Sequence, residues 1–185
     1  LPFAVNNEHL LGEHNRQDIL FALEAAKHFG VDTAAAERAV EKFSGIEHRM
    51  EKVDTFRGIT FYNDCIATIP HAVECAVEAL KNVDTLIFGG MDRGLDYSEF
   101  ENYLKKSNIK NLIGTPATGH KICDKIEGAP QKNVYKAANL DEAVKKAYEV
   151  TAKGKICLLS PAASSYNCYK NFEEKGKHYK KLVKV

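Results

Sequence analysis

Several short polar clusters in this chain hold side chains suited to handling an anionic small molecule. Ser160, Ser164 and Ser165 lie in a small-residue stretch between the apolar run Ile156-Cys157-Leu158-Leu159 and a segment with Tyr169, Phe172, Tyr179 and Val183 on one helical face. Hydroxyls in front of a helix N-terminus make a seat for an anion. In Gly89-Gly90-Met91-Asp92-Arg93-Gly94, glycines let the backbone turn tightly and approach a ligand, and the guanidinium behind them suits a carboxylate. Asn63-Asp64 with Thr68, and His14-Asn15 with Asp18, complete the set. Each cluster also fits a plainer role. The serine run reads equally as a buried last strand and a capped helix, Thr68 as the N-cap of a strand-to-helix turn, and His14-Asn15 as a helix cap.

Positioning these groups requires strands that end where the loops begin. β-rich or apolar runs at Gly58–Tyr62, Thr85–Phe88, Lys110–Ile113, Val134–Tyr135 and Lys155–Leu159 alternate with helical patterns at 70–81, 97–106, 119–126, 140–152 and 168–183. Pro70 suits a first helical turn, and Asn139 with Glu142 makes a capping box. Strands separated by helices of this length predict an α/β fold with a mostly parallel sheet, in which ligands bind beyond the carboxyl ends of the strands. Two earlier helices are expected: one within residues 8–30, stopped by Gly30, and one from Thr33 to Phe43. A domain boundary falls near Ser44–Gly45, separating residues 1–44 from 45–185.

Lys+Arg 26 against Asp+Glu 25 leaves a net charge of +1, so the whole chain offers no electrostatic case for nucleic acid or an anionic membrane. No apolar run reaches the length of a membrane span, and the start lacks the features of a signal peptide. The five cysteines are odd in number and never in C-x-x-C, which argues against a disulfide framework or a zinc site and suits a reducing cytoplasm. The lysines of the tail, Lys175, Lys177, Lys180, Lys181 and Lys184, read as a solvated helix face.

The motifs together resemble the Mur ligase family. Leu158-Leu159-Ser160-Pro161-Ala162 through Lys170-Asn171-Phe172-Glu173 and Gly176 is similar to its C-terminal signature, nearest to the D-glutamate-adding members. Gly12-Glu13-His14-Asn15 resembles its G-x-H-N-x-x-N motif, with Asp18 at the last position. Phe43 through Glu51 resembles F-x-G-x-x-H-R-x-E, Asn63 through Thr68 resembles N-D-S-K-A-T with Ile66 at the lysine, and Gly89 through Asp96 resembles G-G-x-D-K-G-x-D with Arg93 at the lysine.

The resemblance implies a Rossmann-like Mur ligase C-terminal domain at 45–185, preceded at 1–44 by the last helices of a central ATP-binding domain. It implies a bacterial, cytoplasmic, ADP-forming ligase that joins D-glutamate to UDP-N-acetylmuramoyl-L-alanine through an acyl phosphate in peptidoglycan precursor synthesis. It also implies that Thr68, Arg93, Ser165 and Phe172 contact D-glutamate, and that His14, Asn15, Asp18, Arg49 and Asp64 lie along ATP. Mg2+ ligands, the phosphate loop and the UDP-sugar site are expected upstream of residue 1, since no G-x-x-x-x-G-K-[ST] occurs here. The chain alone is therefore expected to lack catalytic residues and a metal site, to be inactive, and to bind nucleotide weakly. Two other readings stay open: a folylpolyglutamate synthase-like ligase of the same superfamily, and a non-catalytic ligase-like module in which Asp18, Ile66 and Asn167 replace the family's Asn, Lys and Asp.

Overall fold

The computed structural model describes residues 1–184. Its centre is a six-stranded sheet in the order β1-β2-β6-β3-β4-β5, built from β1 (Glu51–Phe56), β2 (Ile59–Asn63), β3 (Val83–Phe88), β4 (Asn111–Gly114), β5 (Asn133–Lys136) and β6 (Ile156–Leu159). β1 pairs antiparallel with β2, and every other neighbouring pair is parallel. This is the mostly parallel, Rossmann-like α/β architecture that the alternation of elements predicts. β1 is an addition to that expectation. Its Lys52, Asp54 and Thr55 are exposed on an edge strand, and a register shift between Lys52 and Asp54 breaks the period of two.

Among the described residues, seven helices accompany the sheet: α1 (Glu13–His28), α2 (Thr33–Lys42), α3 (Pro70–Leu80), α4 (Ser98–Lys106), α5 (Thr118–Ile126), α6 (Leu140–Val150) and α7 (Phe172–Leu182). Strand side chains alternate between two cores. Leu86 and Phe88 of β3, Leu112 of β4 and Leu158 of β6 pack with α3, α4 and α5. Ile87, Ile113, Cys157 and Leu159 point the other way, onto α6 and α7. Covering both faces explains why these strands read as continuous apolar runs rather than alternating ones. Each wholly buried Leu, Ile or Phe contributes about 1.5–3 kcal/mol.

The helix ends follow from local chemistry. Asn139 and Asn171 each accept a hydrogen bond from the amide three residues on, at 2.9 Å, while Glu142 and Glu174 reach back to the amides of Ala138 and Lys170. The second of these boxes starts α7 at Phe172, four residues later than the periodicity suggests. Cys168 and Tyr169 instead turn back to the carbonyl of Ser165. Thr68 is not a cap, because α3 begins after Ile69 with Pro70 in its first turn. Nor do His14 and Asn15 cap α1, whose N-cap is Gly12 with no side-chain bond. α1 buries Ile19 and leaves Phe21 exposed at 76%, and Phe29, which caps its C-terminus, is exposed at 82%.

The lysine-rich tail departs from a uniformly solvated face. Lys175 is buried at 3% exposure and Lys180 pairs with Glu47 and Glu51 at 2.7 and 2.8 Å. The reason is spacing: Lys175 lies three residues after Phe172 and four before Tyr179, on the face of α7 that turns toward the sheet.

Candidate functional site

β6 sits between β2 and β3, so the loops that leave the carboxyl ends of these three strands adjoin one another. The chain continues from β3 outward to β4 and β5, then returns to place β6 on the other side of β3. Such a reversal of strand order opens a crevice at the carboxyl ends. The clusters at 63–68, 89–94 and 160–165 all emerge there.

The loops from β3 and β6 are joined. The amide of Met91 donates to the carbonyl of Ser164 at 2.7 Å, and Met91 and Ser164 form an isolated bridge. A Cβ on Gly90 would lie 2.3 Å from the Ser164 carbonyl oxygen, so only glycine admits this approach. Ala162, with φ at +56, sits in the left-handed region, and Tyr97 donates its hydroxyl to the Ala162 carbonyl at 3.1 Å. Arg93 stands exposed at the mouth and donates to Ser164 Oγ at 3.3 Å. Ser164 rather than Ser165 is thus the hydroxyl that meets the guanidinium. Ser165 lies beneath, 3% exposed, with its Oγ unpartnered.

Phe172 opens α7, with its ring edge-on to His48 at 5.9 Å. His48 is buried and accepts at Nδ1 from Asn63 Nδ2 at 2.8 Å, which also donates to Glu51 at 2.9 Å. Burial holds the His48 pKa below its ordinary value. Gly176 passes so close that an added Cβ would lie 2.2 Å from His48 Nδ1. Phe172 is therefore set by a histidine that a side chain at 176 would displace.

A second region, between α1, α3 and the end of β2, encloses a cavity of about 380 Å³. His14, Asp18, Arg49, Asp64 and Thr68 line it, so four of the five expected nucleotide residues meet there with one of the expected acceptor residues. Asn15 does not line it. Its side-chain amide donates to the Leu11 carbonyl at 2.7 Å and lies 3.2 Å from His14 Nε2, which makes it a support for His14. Ile66 also faces the cavity, and no cation replaces the family's lysine at that position.

Asp64 is 3% exposed and accepts from the Met50 amide at 3.1 Å and the Ser160 hydroxyl at 2.7 Å. Burial outweighs these bonds and the nearby Arg49, and its pKa is pushed up to about 6. Burial also lowers the pKa of His14, against the pull of Asp18. The cavity thus offers a guanidinium, the carboxyls of Asp18 and Asp64, and the imidazoles of His14 and His71.

Buried thiols do not supply a nucleophile, because burial pushes Cys65 and Cys157 up to about 12. Among the described residues, no group of three or more His, Cys, Asp or Glu is placed to hold a metal ion. None of their helices is long and apolar enough to cross a membrane. Ser160, one of the three hydroxyls named from the sequence, bonds Asp64. His48 was read only as a position of the Phe43–Glu51 motif and Lys175 only as part of a solvated lysine face, and spacing three residues beyond Phe172 is the signal that marks Lys175.

Residues 48–163 match the family described as Mur ligase, glutamate ligase domain. The chain belongs to the Mur ligase family. It is 41% identical over 180 residues to UDP-N-acetylmuramoylalanine--D-glutamate ligase of Caldanaerobacter subterraneus subsp. tengcongensis, covering 97% of this chain and 40% of that protein. The chain thus spans about two fifths of the length of this relative. Among solved structures, it matches the UDP-N-acetylmuramate-alanine ligase of Thermotoga maritima with a TM-score of 0.66 and 19% identity, over 94% of this chain and 38% of that one. It also matches the folylpolyglutamate synthase of Mycobacterium tuberculosis, complexed with ADP, with a TM-score of 0.67 and 15% identity, over 94% and 41% of the two chains. At these identities the structural matches speak for the fold shared across Mur ligases and related enzymes.

Proposed function

We propose that this chain is the acceptor-binding part of an ATP-dependent ligase that joins D-glutamate to UDP-N-acetylmuramoyl-L-alanine in peptidoglycan precursor synthesis. The observation that carries the reading is the bond from Arg93 to Ser164 next to the buried, unpartnered hydroxyl of Ser165, with Ser160 of the same loop bonded to Asp64 in the cavity that Arg49 and Thr68 also line. The identity to a D-glutamate-adding ligase along nearly all of the chain supports it.

A carboxylate oxygen is too poor a leaving group to be displaced by an amine until it is phosphorylated. Attack of the amine of D-glutamate on the acyl phosphate then releases phosphate. This chain's part is to hold the dicarboxylic amine with Arg93, Thr68, Ser165 and the start of α7, and to close over the nucleotide. Arg93 provides a charge-assisted, forked donor, worth roughly 1.5–3 kcal/mol against about 1 for a neutral hydroxyl. Arg49 and a deprotonated Asp64 would flank ATP, with His14 and Asp18 at its far end. A carboxylate at 18 accepts from an exocyclic amine but cannot donate to a ring nitrogen. Mg2+ would be held mainly by residues outside this chain.

Residues 1–44 belong, in this reading, to an ATP-binding domain that precedes the acceptor domain at 45–185. The exposed Phe21 on α1 and Phe29 at its C-cap suit a helix that packs against further protein. The cytoplasm is the proposed location, consistent with five free cysteines.

The test is ADP release by the full-length protein, supplied with UDP-N-acetylmuramoyl-L-alanine and a panel of D- and L-amino acids. D-glutamate alone should support turnover, and Arg93→Ala should raise its Michaelis constant far more than that of ATP. Equal turnover with L-glutamate on a folate acceptor would replace this reading with a folylpolyglutamate synthase-like one.

A further inference from the structure

Lys175 is the one buried lysine on the acceptor side, and the described residues give it little to pair with. Its Nζ donates to the Gly89 carbonyl at 3.0 Å, and its electrostatic neighbours are the thiols of Cys65 and Cys168 rather than a carboxylate. Burial lowers its pKa. It lies in the first turn of α7 next to Glu173 and Glu174, neither of which hydrogen-bonds its Nζ among the described residues. An ammonium buried with one neutral acceptor is costly unless an anion completes it.

The space beside it is small, and a few polar groups stand there among apolar ones that include Pro116, Leu140 and Tyr169. A cavity of about 40 Å³, lined by Lys175 with Gly90, Thr115, Asn139 and Asn167, has room for little more than one water or one carboxylate head. Its lining is continuous along the chain with the proposed acceptor site. Gly89 and Gly90 lead to Arg93, Cys168 and Tyr169 turn back onto Ser165, and Phe172 lies three residues before Lys175. The unpartnered hydroxyl of Ser165, buried in the same loop, is a second group awaiting a ligand.

We propose that Lys175 is the counter-charge for the distal carboxylate of the acceptor, and so selects a dicarboxylic amino acid over a neutral one. Arg93 at the mouth meets the carboxylate that every amino acid carries, whereas Lys175, deeper, reads the charge that separates glutamate from glutamine. The inference rests on the acceptor reading above.

The test is titration of this chain with D-glutamate, its neutral isostere D-glutamine and sodium chloride, followed by NMR of the backbone amides and of the Lys175 Nζ. The wild type should bind D-glutamate about tenfold or more tightly than D-glutamine. Lys175→Met should abolish that preference, whereas Lys175→Arg should keep part of it. Retained discrimination in Lys175→Met overturns the proposal and leaves the acceptor reading standing. Binding of neither amino acid by the wild type overturns both. If Lys175→Met does not fold, the wild-type Nζ signal decides. It should move with D-glutamate and not with D-glutamine, and an unmoved signal, or one moved equally by chloride, overturns the proposal.

Discussion

The two walls of the carboxyl-end crevice bury opposite charges in different ways. Around the cavity of His14, Arg49 and Asp64, the buried group is a carboxyl with two hydrogen-bond donors and a guanidinium nearby. Around the serine loop, it is a lysine with one backbone acceptor and no carboxylate bonded to it among the described residues. The first wall is nearly self-sufficient and titrates near neutrality. In the proposed reading an anion completes the second, and the acceptor's carboxylate is the candidate for it.

Removing the frame common to both walls should have the largest effect. Gly176→Ala forces a Cβ against His48, which is hydrogen-bonded to Asn63 at the end of β2 and packs on Phe172, so both walls should loosen together. A loss of about 3 kcal/mol in urea unfolding is expected, toward the upper end for overpacking. A loss below about 1 kcal/mol would mean that the two walls are not coupled through His48.

The carboxyl wall comes next. The raised pKa of Asp64 means that the folded chain favours its neutral form. Its favourable contribution is present at low pH and is lost as pH rises from about 3.8 toward about 6. Asp64→Asn should therefore stabilise the chain by about 2 kcal/mol at pH 7 and change little at pH 4, measured by thermal unfolding at both. The same substitution should weaken nucleotide binding in the full-length protein.

The lysine wall should respond with the opposite pH dependence. A lysine whose pKa is lowered on folding favours the neutral form, so stability should rise as pH increases through its folded pKa. Lys175→Met, which keeps the stem and removes the charge, should stabilise the unliganded chain by about 1 kcal/mol at pH 7. Destabilisation by that amount would show that the bond to Gly89 outweighs the buried charge.

The smallest effect is expected far from both walls. Phe21→Ser on α1 and Phe29→Ser at its C-cap, both exposed, should each change the stability of this chain by less than about 0.5 kcal/mol.

How much of this was legible in the sequence differs between the same regions. β3, β4 and β6 announced themselves as apolar runs, because a strand covered on both faces needs no polar alternation. β1 did not, since Lys52, Asp54 and Thr55 of an edge strand carry no apolar period. The loops at Asp64 and Arg93 were readable because special residue types stand at strand ends. Arg93's partner was not, since nothing in the run Ser164-Ser165 tells which hydroxyl faces the guanidinium. Lys175 was obscured by the lysines around it. Burial is set by angle around the helix, and only its spacing from Phe172 and Tyr179 placed it on the inner face.

The most direct test of the account is amide chemical-shift mapping of this chain with D-glutamate. The account predicts that shifts concentrate at Thr68, Met91 to Arg93, Ser164, Ser165 and the first turn of α7. The cavity of about 470 Å³ beside β5 and α6, lined by Tyr135, Lys136 and Lys146, should stay silent. Shifts concentrated at that cavity, with the serine loop unmoved, would contradict the assignment of the acceptor to the carboxyl-end crevice.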